Sequence, residues 1–490
     1  MPARAEMLCA ICCGWQQYGG ANMSEKLSVR LKENTSRLDG ILNLDTNFDI
    51  IRKGIRTGGR DACIYFIDGF LEESVMEKLL EFFYKLKPEE LPMTAQQLAD
   101  HVVPYVEVSA MEELDEILKN LLSGVTCLFI DGYDACIGLD CRSYPMRSVD
   151  EPSKDKALRG SKDGFVETLV FNTALIRRRI RSPHLSMEMM TAGKTSKTDI
   201  VLCYMSERVD RRLLRELKGR ISAIRVDALT MNQESLAECI YERKWYNPFP
   251  KFKFTERPDS ASAAILEGNI VILVDNSPQA MIIPTSIFDI IEEADDYYFP
   301  PVTGSYLRLS RFLIAMITLL LTPTFLLLYQ NPGWIPDWLA FIVIKDTVHV
   351  PVVWQFLMLE LAIDGLRLAA INTPSMLSTP LSVVAGIVLG QFTVDSGWFN
   401  AEIMMYMAFV AIANYTQSSY ELGYALKFMR LILLVLTALF NLSGYIAGIL
   451  LTGAAIVGNK TVAGKSYIYP LFPLNLNQLK KRFLRLRLKE

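Results

Sequence analysis

The position of the apolar runs constrains this chain more than any other feature. From Arg311 to Val457 the sequence holds long apolar stretches with few charges, whereas residues 24–300 mix apolar and charged residues. About 20 consecutive apolar residues are enough to cross a bilayer as a helix. We therefore expect a soluble half followed by a membrane half. The pattern excludes a disordered chain, a collagen-like repeat and a simple soluble enzyme.

The first part of the soluble half has the pattern of an α/β domain. Residues 1–46 are expected to form a partly disordered extension, and residues 47–146 a first cytosolic α/β subdomain. Cys63–Asp68 and Val125–Asp131 are short apolar runs that lead into Asp-Gly, which is typical of a strand followed by a turn. Helical patterns lie between these two runs.

Residues 147–305 are predicted to form a second cytosolic α/β subdomain. It opens with a helix over Phe165–Arg181, and its candidate strands are Ile200–Tyr204, Ala223–Val226 and Ile270–Asp275. Helical segments between these strands favour a mixed or parallel sheet covered by helices.

Cysteine usage and charge limit the classes of function. All nine cysteines lie in the first half, and this odd number favours a reducing cytosol over an extracellular domain. The net charge is −3 and no basic face dominates the soluble half, so we expect no nucleic-acid partner. The three histidines are scattered, and no nucleophile and base are paired by their spacing. We therefore expect no enzyme activity, no cofactor and no metal site.

The second half is predicted to be helical. Residues 306–460 are expected to form a transmembrane domain of about four to six membrane segments, some re-entrant or interfacial, followed by a basic tail over residues 461–490. The last apolar stretch, Leu431–Val457, is long for one crossing and short for two. Asn441 lies inside this stretch and would break it into a re-entrant pair. Basic residues before and after the stretch predict that the chain is cytosolic at both of its ends.

Four small residues recur at intervals of four positions and form one face of a predicted helix. They are Ser378, Ser382, Gly386 and Gly390. Such a face lets two helices pack closely, or lets one helix line a narrow water path. Close packing is the commoner explanation, and both hypotheses stay open at this point.

Three charged residues share one face of a helix predicted over Val352–Ala370. Glu360, Asp364 and Arg367 do so because their spacings are four and three. A charged face in a membrane domain is costly unless it meets water, a partner or the interface. One interpretation is an interfacial helix with an internal salt bridge. The other is that these residues belong to an ion path or its gate, where the carboxylates bias an aqueous path toward cations.

A run of three arginines ends the predicted helix of the second subdomain. Arg177, Arg178 and Arg179 lie in its last turn, where basic residues suit the negative end of the helix dipole. In one interpretation they form a solvated helix end or a contact between subunits. In the other they bind anionic lipid headgroups.

A set of short motifs runs through both halves of the chain. Its members are Asp150-Glu151-Pro152, Arg159–Glu167, Asn172, Leu175–Ile180, Glu256–Asp259, Glu267-Gly268, Asp275, Ser277-Pro278, Pro284-Thr285, Leu366–Ile371 and Thr373-Pro374-Ser375. This set resembles the signature of the spore germinant receptor A-subunit family. The likeness covers roughly residues 40–475, and a likeness of this length is highly specific.

The resemblance implies a multi-pass protein of the spore inner membrane that acts in germination, with its large N-terminal region in the cytosol. It implies a homo-oligomeric ring, with five subunits as the expected number, that releases monovalent cations. A second membrane subunit is an implied partner. The branch that the Ser277-Pro278 and Thr373-Pro374-Ser375 motifs favour is encoded with the dipicolinate-release channel proteins, which are further expected partners.

Two functions agree with these expectations. The first is an oligomeric ion channel of the germination machinery, in which carboxylates repeated around the ring concentrate cations. The alternative is a non-conducting membrane scaffold whose soluble half regulates a dipicolinate-release channel. The two hypotheses differ because only a channel needs its small-residue face open to water.

Overall fold

The computed structural model describes residues 26–144, 158–241, 246–372 and 386–485. These residues divide into two compact units. Unit 1 comprises the described residues up to Tyr241 together with Phe252–Pro284. Unit 2 comprises residues 246–251 and the described residues of Thr285–Arg485. Unit 1 therefore ends at Pro284, whereas the second subdomain was predicted to extend to residue 305.

Unit 1 contains two five-stranded sheets, each with helices on it. In the first sheet every neighbouring pair of strands is antiparallel, in the order β1-β2-β4-β5-β3. Its elements are α1 (Leu31–Leu42), β1 (Ile50–Thr57), β2 (Arg60–Ile67), α2 (Glu73–Lys85), α3 (Ala95–His101), β3 (Val108–Met111), α4 (Leu114–Leu122), β4 (Thr126–Ile130) and β5 (Cys136–Leu139).

Two glycines set the direction of the first strand pair. Gly58 and Gly59 have φ angles of 50° and 78°, which suit the two central residues of a tight hairpin turn. The turn joins β1 directly to β2, so this pair is antiparallel. Helices α1 and α4 pack on one face of the sheet, and α2 and α3 pack on the other. The predicted α/β character of this subdomain is confirmed.

The N-terminal extension is shorter than the predicted residues 1–46. Helix α1 buries Leu38 and Leu42 in the core of the first sheet, and neither side chain is exposed. The side-chain amide of Asn47 donates to the carbonyl of Leu42 over 2.7 Å and fixes the end of this helix. Residues from Leu27 onward therefore belong to the first subdomain, because their apolar side chains complete its core.

The second sheet is also antiparallel throughout, in the order β6-β7-β9-β10-β8. The expectation of a mixed or parallel sheet is wrong, because short turns join β6 to β7 and β9 to β10. Its elements are α5 (Leu169–Arg179), β6 (Leu185–Ala192), β7 (Thr198–Met205), α6 (Arg211–Ser222), α7 (Asn232–Ile240), β8 (Lys253–Thr255), α8 (Pro258–Leu266), β9 (Ile270–Val274) and β10 (Ala280–Ile283).

One candidate strand of this subdomain is not a strand. Ala223–Val226 follows α6 as a loop, and most of its residues are exposed. The positions on either side of β7 are already taken by β6 and β9, so the sheet offers no place for another strand there. The other two candidates are confirmed as β7 and β9.

Unit 2 is helical. Two of its helices, α11 and α14, are long and apolar enough to cross a membrane. Its elements are α9 (Ile287–Ile291), α10 (Asp295–Tyr298), α11 (Pro301–Gln330), α12 (Val352–Asn372), a π-helix (Gly386–Phe392) with a short α-helix after it (Thr393–Asp395), α13 (Ala401–Tyr415), α14 (Tyr420–Val457) and α15 (Leu476–Phe483), with 3-10 turns at Pro88–Glu90 in unit 1 and at Pro332–Trp334 and Asp337–Ile342 here.

The long helix α14 is a hairpin of two antiparallel legs. Asn441 has φ 52° and ψ −130°, which is not helical. A Cβ placed on Gly444 would clash with the carbonyl oxygen of Leu436, and one on Gly448 would clash with the side chain of Leu433. In a straight helix, residues 8 and 15 positions apart are about 12 and 22 Å apart. The chain therefore turns back at Asn441, as its position in the sequence predicts.

The two ends of this hairpin lie together, and its tip lies at the end of α11. Asn331 follows α11, and its side-chain nitrogen donates to the side-chain oxygen of Asn441 over 2.6 Å. Gln330 donates to the carbonyl of Ala438 over 3.2 Å. At the other end, Ala455 and Ile456 pack in the same cluster as Leu422. The basic residues before and after the last apolar stretch therefore lie toward the same end, which agrees with the predicted charge pattern.

Candidate functional site

Five charged residues meet where α12 packs on the first leg of α14. We call Glu360, Asp364, Arg367, Lys427 and Arg430 the charge cluster. Glu360 accepts a hydrogen bond from Arg430 and lies 3.2 Å from the Nζ of Lys427. Lys427 also pairs with Asp364. The two carboxylates of α12 are thus each held by a cation of α14.

The members of the charge cluster differ in burial. The side chains of Glu360 and Arg430 are 8% and 2% exposed, whereas that of Asp364 is 34% exposed. Arg430 also donates to the carbonyl of Thr318 over 2.9 Å, which ties the pair to α11. Charges within membrane segments are stable where they pair with one another and with carbonyls. The buried pair therefore joins three helices.

Arg367 does not pair with a carboxylate among the described residues. Its guanidinium lies over the rings of Tyr415, Tyr420 and Tyr424, with 5.2, 5.0 and 5.0 Å to the three ring centroids. Aromatic faces attract a cation at this distance. The internal salt bridge expected within α12 is wrong, because its acids pair with α14 and its arginine stacks on tyrosines.

A small pocket lies beside the charge cluster and is also lined by Met407 and Asn414. The space open to the centre of a water molecule is about 10 Å³, which is the room of about one water. Three cations and two carboxylates form the cluster, so its formal charge is positive. This sign does not favour the accumulation of cations.

The partners of the two carboxylates, Lys427 and Arg430, are the basic residues just before the last apolar stretch, from which the sequence predicts only the topology. Lys427 and Arg430 are three positions apart on one apolar helix, and Glu360 and Asp364 are four apart on another. Both spacings place the two charges on the same face of their helix. Opposite charges with similar spacing on two apolar helices are a signal for pairing between them. The contacts of Arg367 had no such signal, because tyrosines occur throughout the chain.

The three arginines of α5 have three different environments. Arg177 is fully buried and pairs with Asp49, so the predicted lipid or subunit contact is wrong for this residue. Arg179 is partly buried and pairs with Asp163 over 2.5 Å. Arg178 is exposed and lies 4.5 Å from the ring of Tyr144. Only Arg178 remains available at the surface.

The small-residue face lies partly outside the described residues, since Ser378 and Ser382 fall there. Gly386 and Gly390 belong to the π-helix, and a Cβ on either would meet no atom of the described residues within 4 Å. The glycines at 444 and 448, by contrast, are closely packed within the hairpin of α14. As far as the structure describes the chain, close packing therefore explains the glycines at 444 and 448 but not those at 386 and 390.

Comparison with known proteins identifies the family. Residues 38–490 match the Bacillus/Clostridium GerA spore germination protein family. The chain belongs to this family. It is 34% identical to stage V sporulation protein AF of Bacillus subtilis (strain 168) over 89% of this chain and 88% of the relative. It is 28% identical to spore germination protein A1 of the same organism over 88% of this chain and 89% of that one.

Two further similarities extend the comparison. Spore germination protein KA of Bacillus subtilis (strain 168) is 27% identical over 89% of this GerA-family chain and 81% of its own length. The crystal structure of the N-terminal domain of the A subunit of the Bacillus megaterium spore germinant receptor GerK3 has 24% sequence identity and a TM-score of 0.40, and covers 53% of this chain and 96% of that one. The family resemblance predicted from the motifs is confirmed by the first comparison.

Proposed function

We propose that this GerA-family protein is a multi-pass membrane subunit of the spore germination machinery that assembles with copies of itself into an ion-conducting ring. The proposed location is the spore inner membrane with unit 1 in the cytosol, and the proposed permeant ions are monovalent cations. A second membrane subunit and dipicolinate-release channel proteins are the proposed partners.

The exterior of unit 2 supports the membrane location. In the most apolar 18-residue stretch of α11 less than half of the residues are buried, and in the corresponding stretch of α14 only 28% are buried. The core helix of a soluble domain is mostly buried, so these two helices need a further apolar surrounding. The outer face of the second leg carries exposed side chains such as Ile446 and Leu450, which suit lipid or a second copy.

The open space beside Gly386 and Gly390 carries the proposal of assembly. Glycines allow helices to approach closely, and the glycines of the α14 hairpin are used in this way inside the chain. The π-helix glycines have no partner surface among the described residues. A second copy packed near this face, or a water path along it, would give these two glycines a role.

The charge cluster has a different role in this proposal from the one the sequence favoured. Glu360 is neutralised by Arg430 inside the same chain, so it is not a free carboxylate that could attract a cation. The cluster instead holds α12 against the hairpin of α14.

Flux through purified protein in liposomes tests the proposal. Gly386→Leu and Gly390→Leu should lower potassium flux to background, because a bulky side chain fills the open space. Gly453→Leu is the matched control, since Gly453 is also exposed with no atom within 4 Å of a Cβ, but lies on the second leg of α14. Its flux should equal that of the unchanged protein.

The outcome also separates the channel from the alternative. The compensated charges and the one-water pocket favour a non-conducting scaffold that regulates a dipicolinate-release channel. No flux from intact assemblies, with and without the second membrane subunit, would reject the channel in favour of the scaffold. Equal loss of flux in the Gly453 control would mean that a larger side chain acts through general damage and not through a path.

A further inference from the structure

The end of the chain is basic and contains no acid over a long stretch. From Gly458 to Lys489 there are eight lysines and arginines and no aspartate or glutamate. A segment of this kind next to a membrane helix is attracted to anionic lipid headgroups. Lys480 is exposed on α15, where its ammonium group is open to such a partner.

Four large apolar side chains just before and at the start of α15 are exposed. Leu471, Phe472, Leu474 and Leu476 are 50%, 65%, 63% and 61% exposed. They occur within six successive positions, so exposed apolar side chains are concentrated in one short segment next to the basic residues; we call this segment the apolar patch. A concentrated apolar patch on a protein surface marks an interaction site with a protein or a membrane.

Contacts to α11 place this segment beside the N-terminal part of that helix. The ring of Phe483 lies 4.8 Å from that of Phe312, centroid to centroid. The backbone N–H of Arg485 donates to the Oγ of Ser305 over 2.9 Å. Arg311 is the last charged residue of α11, so Phe312 is where its uninterrupted apolar stretch begins. The segment is therefore held at the polar end of a candidate membrane helix.

Ion pairs fix α15 in this position. Arg482 lies 2.8 Å from Glu292 and also pairs with Asp289. Arg482 and Phe483 contact other residues of unit 2, so their side of α15 anchors the helix. Lys480 and the apolar patch before the helix remain outside this contact.

We propose that residues 469–484 form an interfacial anchor that binds the surface of an anionic bilayer. Leu471, Phe472 and Leu474 insert among the headgroups, and Lys480 lies beside the lipid phosphates. A second copy is a poorer partner for this surface, because two identical carboxylate-free segments would repel one another. The inference rests on the proposed membrane location and adds a lipid preference to it.

Site-specific photo-crosslinking in the full-length protein tests the anchor. The change is Phe472→p-benzoylphenylalanine, with the protein in nanodiscs of phosphatidylcholine alone or of phosphatidylcholine with phosphatidylglycerol. We expect lipid adducts at this position by mass spectrometry, with a higher yield in the anionic nanodiscs. Met93→p-benzoylphenylalanine is the control, since Met93 is 90% exposed in unit 1 and should give no adduct.

The charges are tested separately from the apolar patch. Lys480→Gln should reduce the excess yield in anionic nanodiscs and leave the yield in phosphatidylcholine unchanged. Crosslinks to a second copy, or the absence of lipid adducts, would overturn the proposal. Failure of the membrane location itself is recognised independently, because carbonate would then extract the unchanged protein from vesicles.

Discussion

The guanidinium of Arg177 and the carboxylate of Asp49 form a two-point ion pair in the interior of unit 1. The Nε–Oδ2 and Nη2–Oδ1 distances are 2.7 and 2.9 Å, and the two side chains are 0% and 2% exposed. Asp49 precedes β1 and Arg177 lies in α5, so the pair joins the two subdomains. Next to it, the N–H of Met187 donates to the side-chain oxygen of Asn47 over 2.7 Å.

Removal of one partner of this pair should destabilise unit 1. Asp49→Ala or Arg177→Met leaves a buried charge without its partner, which costs about 3–5 kcal/mol. The double variant Asp49→Ala with Arg177→Met should recover part of this loss, because no uncompensated charge remains. Urea unfolding of the detergent-solubilised chain, followed by circular dichroism, measures these differences. Single variants as stable as the unchanged protein would contradict a structural role for the pair.

The pair of Asp163 with Arg179 should make unit 1 sensitive to acid. Burial opposes ionisation of Asp163, but hydrogen bonds from Arg179 and Ser161 outweigh it and hold its pKa below the usual value. A lowered pKa in the folded state means that this stabilisation is present above about pH 4 and is lost as the pH falls through the folded pKa.

Asp163→Asn should therefore lower the thermal midpoint at pH 7 and flatten its decline below pH 4. The measurement is a series of melting curves between pH 7 and pH 3. Glu33→Gln is a useful control, because Glu33 also has a lowered pKa but lies at the surface. Parallel curves for the unchanged protein and Asp163→Asn would rule out this pair as a source of acid sensitivity.

The two carboxylates of the charge cluster should differ in their effect on stability. Glu360 is 8% exposed between Arg430 and Lys427, whereas Asp364 is 34% exposed. Glu360→Gln leaves Arg430 buried without an anion, so we expect a loss of about 3–5 kcal/mol. Asp364→Asn should cost about 1 kcal/mol or less, because water partly screens Asp364 and Lys427 keeps Glu360 as a second anion. Equal melting temperatures for the two variants in detergent would contradict this order.

The hairpin of α14 predicts the side of the membrane on which its ends lie. Reporters fused after Ser419 and after Gly458 should be on one side, and a reporter fused after Asn441 on the other. A fluorescent protein and alkaline phosphatase, used in turn at each position, distinguish the two sides. A straight helix over the same 38 residues would instead place the first two reporters on opposite sides.

The period of the apolar residues and the composition of each segment were enough to predict most single helices and strands. The apolar runs at Ile200–Tyr204 and Ile270–Asp275 lie in strands, and the helical pattern before Leu122 forms α4. These patterns are local, because burial on one face of an element repeats with the period of that element. The direction of the second sheet was not predicted correctly, because direction depends on which strands short turns join.

The sequence by itself determined the division into a charged α/β half and an apolar helical half, the family motifs, and the break at Asn441. Only the tertiary structure decided which charges meet. Arg177 and Asp49 are 128 positions apart, and Arg430 and Glu360 are 70 apart. Local periodicity shows which face of an element is buried, but the partner of a buried charge depends on how distant elements pack, and that packing minimises the free energy of the whole chain.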